Sequence, residues 1–107
     1  VLQQGTQIAV DLENPQLQVM MVVAAVQYLV ALAQSQPDPN HDTITTSVLW
    51  AGFVYTAAQA EEENRMELDK LRPSMVEVLG EAEVEQLIKQ GESLTLEGII
   101  DHVLQRL

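Results

Sequence analysis

The sequence predicts an all-α fold, an antiparallel array of five to six helices in one domain. Apolar residues recur every three or four positions in each segment, and no stretch shows the alternating pattern of a strand. Proline, glycine and polar clusters separate the segments. With 107 residues, 47% of them hydrophobic, the chain can bury one core and is too short for two. We therefore expect residues 1–107 to form a single helical domain, with repeat-like helices over 1–60 and capping helices over 61–107.

The first two predicted helices meet at a break around Asn14 and Pro15. Residues 1–13 have helical apolar spacing and predict a short helix. Proline is tolerated in the first turn of a helix, so the second helix begins at Pro15 with Asn14 as N-cap and runs to about Gln34. Its residues 19–33 are apolar nearly all round, but at 1.5 Å per residue they span about 22 Å, short of the roughly 30 Å membrane core. No basic residues flank them, so we expect a central buried helix rather than a membrane span.

Turn-forming residues at 35–43 separate the second helix from the third. The residues before Pro37 and Pro39 are pushed out of helical geometry, so this stretch is a predicted loop. The third helix is expected from about 43 to 60. Its Gly52 and its alanines predict a close backbone approach to neighbouring helices.

The fourth helix is expected to follow the acidic run 61–63 and to contain a proline. Consecutive glutamates point in different directions on a helix, so we interpret them as a solvated helix start that the dipole favours, not as a convergent site. Apolar spacing continues straight across Pro73, which favours one helix kinked at the proline over two separate helices. Gly80 is expected to end this helix.

Two short helices are predicted for the last part of the sequence. Residues 81–90 place their apolar side chains on one face and stop at Gly91. In the last helix Thr95 is the predicted N-cap, and residues 96–107 form a regular apolar face. His102 lies opposite that face and is expected to be a solvated surface residue.

Charge and cysteine content exclude several classes of function. Five Lys and Arg against sixteen Asp and Glu give a formal charge of −11, which would repel nucleic acid and anionic lipid, so neither is an expected partner. No cysteine is present, which excludes disulfides, thiolate metal sites and cysteine nucleophiles. This acidic chain begins at Val1 without a signal pattern, so we expect a cytoplasmic protein and a piece of a longer chain.

The sequence predicts no catalytic, cofactor-binding or metal site, and hence no enzyme. The best metal cluster, Asp38, His41 and Asp42, lacks the glycine and the terminal glutamate of a calcium loop and is interpreted as loop polarity. The serines have no G-x-S-x-G motif and no motif-placed histidine. No glycine-rich phosphate loop is present.

The aromatic residues allow two interpretations. Aromatic and methionine side chains at helical spacing are most often core residues. The alternative is a groove between helices for a peptide or helix, to which Met20 and Met21 would contribute. The candidate groove residues are Trp50, Phe53, Tyr55 and Tyr28.

Four short motifs carry a resemblance to a known family. In sequence order they are W-A-G at 50–52, L-G-E at 79–81, Q-G-E at 90–92 and L-T-L-E at 94–97. In this order they resemble the C-terminal end of the tetratricopeptide-like (TPR-like) region of large bacterial transcriptional regulators of the LuxR, AfsR and MalT type. The resemblance covers about residues 42–107. Gly98 stands where that family usually has a second glutamate, and Pro73 interrupts a helix that is usually continuous there.

The resemblance implies a TPR-like helical-repeat scaffold whose last helices seal the array. It implies a non-catalytic interaction or sensor module of a multidomain regulator, in which DNA contact lies in other domains. Its partner would be a protein or peptide, or other domains of the same chain. The alternative is a homodimeric helical domain of an unrelated signalling protein, in which a second copy covers the broad apolar helix that begins at Pro15.

Overall fold

A computed structural model describes residues 2–35, 41–58 and 60–106, and these form six α-helices and no strand. The described residues are almost entirely helical, so the all-α prediction is confirmed. The helices are α1 (Leu2–Asp11), α2 (Pro15–Gln34), α3 (His41–Thr56), α4 (Glu62–Leu79), α5 (Glu81–Gly91) and α6 (Leu96–Arg106).

Helix α2 lies at the centre of the fold, in contact with α1, α3, α4 and α6. It begins as predicted, because Pro15 occupies the first turn and Asn14 Oδ1 accepts a hydrogen bond from the Leu17 N–H at 3.1 Å. Eight of its residues are buried, which confirms the predicted central helix. Within the described ranges it is also the one helix long and apolar enough to cross a membrane, a property shared by core helices. Part of its apolar surface stays exposed, at Met20 and Tyr28 above all.

Helices α3 and α5 approach each other backbone to backbone. A β-carbon on Gly91 would overlap the carbonyl oxygen of Leu49 and lie 3.2 Å from the α-carbon of Gly52. A β-carbon on Gly52 would lie 2.8 Å from the α-carbon of Ile88, where ordinary contact begins at 3.4 Å. The close approach predicted at Gly52 is therefore confirmed. Helix α5 ends at Gly91 as expected, and Gly91 is also a point of close contact with α3.

Polar contacts from α4 fix the C-terminal end of α3. Arg65 donates from Nε to the Tyr55 carbonyl at 3.2 Å and from Nη2 to the Ala57 carbonyl at 3.3 Å. The last carbonyls of a helix have no partner within it, and a guanidinium also complements the negative end of the helix dipole. The Tyr55 hydroxyl donates to Asp69 Oδ1 at 2.6 Å and adds a second link. With these contacts α3 ends at Thr56, earlier than the expected end near residue 60.

The remaining helix boundaries lie close to those predicted from the sequence. Helix α4 runs unbroken through Pro73, which confirms one helix, although proline offers no N–H to the carbonyl of Asp69 one turn earlier. Gly80 separates α4 from α5 with a φ of 89°, a conformation that glycine adopts without strain. The Gly98 N–H donates to Thr95 Oγ1 at 3.1 Å, which confirms Thr95 as the N-cap of α6.

The last helix packs against the first two helices. Helix α6 packs against α1 and α2, so elements from the two ends of the described chain meet. In an open helical repeat each unit contacts only its neighbours along the chain. The six helices form a compact all-α globule, and the TPR-like repeat arrangement is not confirmed.

Candidate interaction groove

The aromatic residues considered as groove residues are placed in different environments. Trp50 is buried, Phe53 and Tyr55 are half-buried, and Tyr28 is exposed on α2. Trp50 contacts α6 through His102, whereas Tyr55 is linked to α4 through Asp69. The two side chains therefore point to different neighbouring helices and do not line one groove together.

Tyr55 is held as a neutral phenol between α3 and α4. Burial raises its pKa above the ordinary value of 10.0, and the hydrogen bond to the Asp69 carboxylate raises it further. Both effects disfavour a phenolate, because the charge would be poorly solvated and would lie next to a carboxylate. Tyr55 thus serves to join two helices.

His102 lies on the polar face of α6, yet its ring contacts a buried aromatic residue. Its ring packs edge to face against Trp50, with centroids 5.1 Å apart and planes at 83°. The residue is nevertheless exposed, as expected for that face. It lies beside a shallow groove of about 250 Å³ that Leu94 and Ile99 also border.

A larger groove lies between α2 and α4, with a volume of about 400 Å³. We call it the α2/α4 groove. Met20 on α2 and Met66 on α4 line its two walls and are 54% and 53% exposed. The other residues of the groove are Val23, Ala24 and Gln27 from α2, and Glu63, Asn64, Glu67 and Lys70 from α4. Methionine is flexible and polarizable and adapts to many apolar partners, so the α2/α4 groove is the candidate interaction surface.

Charged side chains border the α4 wall of this groove. Glu67 accepts a hydrogen bond from Gln27 Nε2 at 3.3 Å and forms a salt bridge with Lys70 at 2.9 Å. Glu63 is exposed and forms no ion pair with another described residue. The groove therefore combines apolar side chains with a hydrogen bond that joins its two walls, and its two carboxylates outnumber its one cation.

The other polar groups of the described residues were compared with the requirements of a metal site. Within the described ranges there is no group of three His, Asp or Glu residues that could hold a metal ion. Asp38 and the His41 side chain, from the loop considered for a metal, lie outside the described residues. The acidic run that precedes and begins α4 is exposed, in agreement with a solvated helix start.

One buried hydroxyl in the described part of the chain has no hydrogen-bond partner. It belongs to Thr6 of α1, which is fully buried. An unpaired buried hydroxyl costs stability and does not by itself form a binding site.

Comparison with known proteins found no relative of this chain. No family model, curated protein or solved structure matches the chain.

Sequence reasoning identified only part of the α2/α4 groove. Met20 was a candidate, but Met66, Gln27 and Glu67 were missed. Met66 lies off the apolar stripe of α4 that contains Leu68, and that offset was the available signal. A large apolar residue on the polar side of an amphipathic helix is either incidental or part of a second contact surface.

Proposed function

We propose that this domain is a non-catalytic interaction module that binds a segment of another protein, or of another domain of its own chain, in the α2/α4 groove. The observation that carries the proposal is the pair Met20 and Met66, each about half exposed on opposite walls of one groove. Core methionines of small domains are normally covered, as Met75 is here with 1% exposure. A partner that covers the groove would bury both exposed methionines.

The wider setting of the proposal is a cytoplasmic bacterial transcriptional regulator, in which this domain is a sensor or interaction module near the C-terminal end of a TPR-like region. The motifs at 50–52, 79–81, 90–92 and 94–97 support it, together with the acidic charge and the absence of cysteine. The full reading frame of the gene tests this setting. An adjoining nucleotide-binding or helix-turn-helix segment is expected, and its absence would contradict the setting without affecting the groove.

Selection from a random peptide library tests the binding function. We expect the domain to enrich peptides that form amphipathic helices and that lose binding when Met20→Gln and Met66→Gln are combined. Both residues are exposed, so the double variant should fold normally, as circular dichroism would verify. Leu94→Gln, at an exposed apolar residue outside the groove, is the matched control and should bind like the wild type. Failure to enrich any peptide, or equal binding of the peptides by the wild type and the methionine double variant, would refute the proposal.

Self-association is the second candidate, because exposed apolar residues continue along α2. Tyr28 is 46% exposed and Leu32 is 36% exposed, beyond the end of the groove. A second copy packed on this surface would cover both. Sedimentation over a wide concentration range tests self-association. A concentration-dependent dimer that Tyr28→Gln abolishes would support it, and a strict monomer at high concentration would exclude it.

A further inference from the structure

We propose that the occupant of the α2/α4 groove is a basic amphipathic helix. This inference rests on the proposed function and adds the chemical class and conformation of the partner. It follows from the shape of the apolar surface, the small residue Ala24 within it and the sign of the charge around it.

The apolar surface has the length and periodicity of a helix contact. Met20, Ala24 and Gln27 line the groove from nearly the same side of α2, and this side is exposed or half-exposed over its length. From residue 20 to residue 27, at 1.5 Å per residue, the surface extends about 10 Å, or two helical turns. Ala24 allows a second helix to approach closely, and Met66 forms the wall on the other side. A helix with apolar residues at i and i+4 and a polar residue at i+7, opposite Gln27, matches this surface.

The charge around the groove selects a basic partner. Glu63 and Glu67 border it against a single cation, Lys70, which already pairs with Glu67. The whole chain has a formal charge of −11, so its field attracts a basic helix over distances comparable with the Debye length. The same field repels an acidic helix. It also opposes a second copy of this chain in the groove, since that copy has the same charge.

Three synthetic helical peptides of about twelve residues test this inference. They share one apolar face and differ only on the polar face, which is rich in lysine and arginine, neutral, or rich in glutamate. Binding is measured by fluorescence anisotropy at low and high salt. We expect the basic peptide to bind at least about tenfold more tightly than the neutral one at low salt, and the difference to shrink as salt is added.

Single charge changes in the groove should alter the affinity for the basic peptide in opposite directions. We expect Glu63→Gln to weaken binding about twofold to threefold, and Lys70→Gln to strengthen it by a similar factor, as for exposed charges. Glu83→Gln, at an exposed acidic residue on α5 outside the groove, is the matched control for the loss of one negative charge and should have a smaller effect.

The outcomes separate this inference from the proposed function. Equal affinity for basic and neutral peptides, both lost in the methionine double variant, would overturn the basic partner and leave the groove as a binding site. Tighter binding of the acidic peptide would also overturn it. If none of the three peptides binds at millimolar concentration and the random library yields no binder, both proposals fail together.

Discussion

Replacement of Gly91 by alanine is expected to destabilise the domain by separating α3 from α5. The new β-carbon would overlap the Leu49 carbonyl oxygen, and neither backbone can move away by changing a rotamer. Overpacking of this kind typically costs 1–3 kcal/mol, and a contact with backbone belongs at the upper end of that range. Alanine recovers at most about 1 kcal/mol through its higher helix propensity. We therefore expect a net loss of about 2 kcal/mol, or about 8–16 °C in Tm at 4–8 °C per kcal/mol.

Thermal and urea unfolding, followed by far-ultraviolet circular dichroism, measure this loss. Gly5→Ala is the matched control, since Gly5 also lies within a helix and its β-carbon would meet only the end of the Met21 side chain, the methyl at 2.8 Å and the sulfur at 3.3 Å. That methyl lies at the end of a flexible side chain and can move, so the control should stay within about 1 kcal/mol of the wild type. A Gly91→Ala protein as stable as the wild type, or more stable, would refute the backbone contact between α3 and α5.

Three further predictions concern polar groups. Arg65→Gln removes the guanidinium that caps α3 and should lower the free energy of unfolding by about 1–2 kcal/mol in urea unfolding; an unchanged midpoint would contradict the cap. Thr6→Val removes the unpaired buried hydroxyl and should raise the free energy of unfolding by about 1 kcal/mol, whereas a loss would show that the hydroxyl is satisfied. Because the pKa of Tyr55 is raised in the folded state, its contribution to stability is complete below about pH 10 and is lost as pH rises above that value. In a Tyr28→Phe background, where Tyr55 is the remaining tyrosine, tyrosinate absorbance should rise above pH 10 together with unfolding; ionisation at the ordinary pKa in the folded protein would contradict the buried link to Asp69.

Local rules predicted the helix starts, because each start depends on a few neighbouring residues. Asn14 and Thr95 cap their helices through hydrogen bonds to backbone N–H groups three residues away, and such spacing is visible in the sequence. Gly52 was predicted as a contact point because a small residue inside an apolar helix usually has a packing reason. Its partner at Gly91 was interpreted only as a stop signal, since glycine at the end of a helix is common for local reasons.

Contacts between distant residues were not predictable in the same way. Arg65 reaches carbonyls eight and ten residues earlier in the chain, and Gln27 meets Glu67 forty residues away. Periodicity shows which face of a helix is apolar, but not which neighbouring helix covers it. The contacts of α6 with α1 and α2 depend on which helices pair, and so does the formation of the groove that Met20 and Met66 line.

The most direct test of the α2/α4 groove as the binding surface is NMR of the domain labelled with ¹³C at its methionine methyl groups. The four methionines report on different environments: Met20 and Met66 in the groove, Met21 beside Gly5, and Met75 in the core. On titration with the basic amphipathic peptide, we expect the Met20 and Met66 resonances to shift together. Their shift changes should saturate with the Kd measured by anisotropy, while the Met75 resonance does not shift. Saturated binding that leaves Met20 and Met66 unshifted would contradict the assignment of the groove.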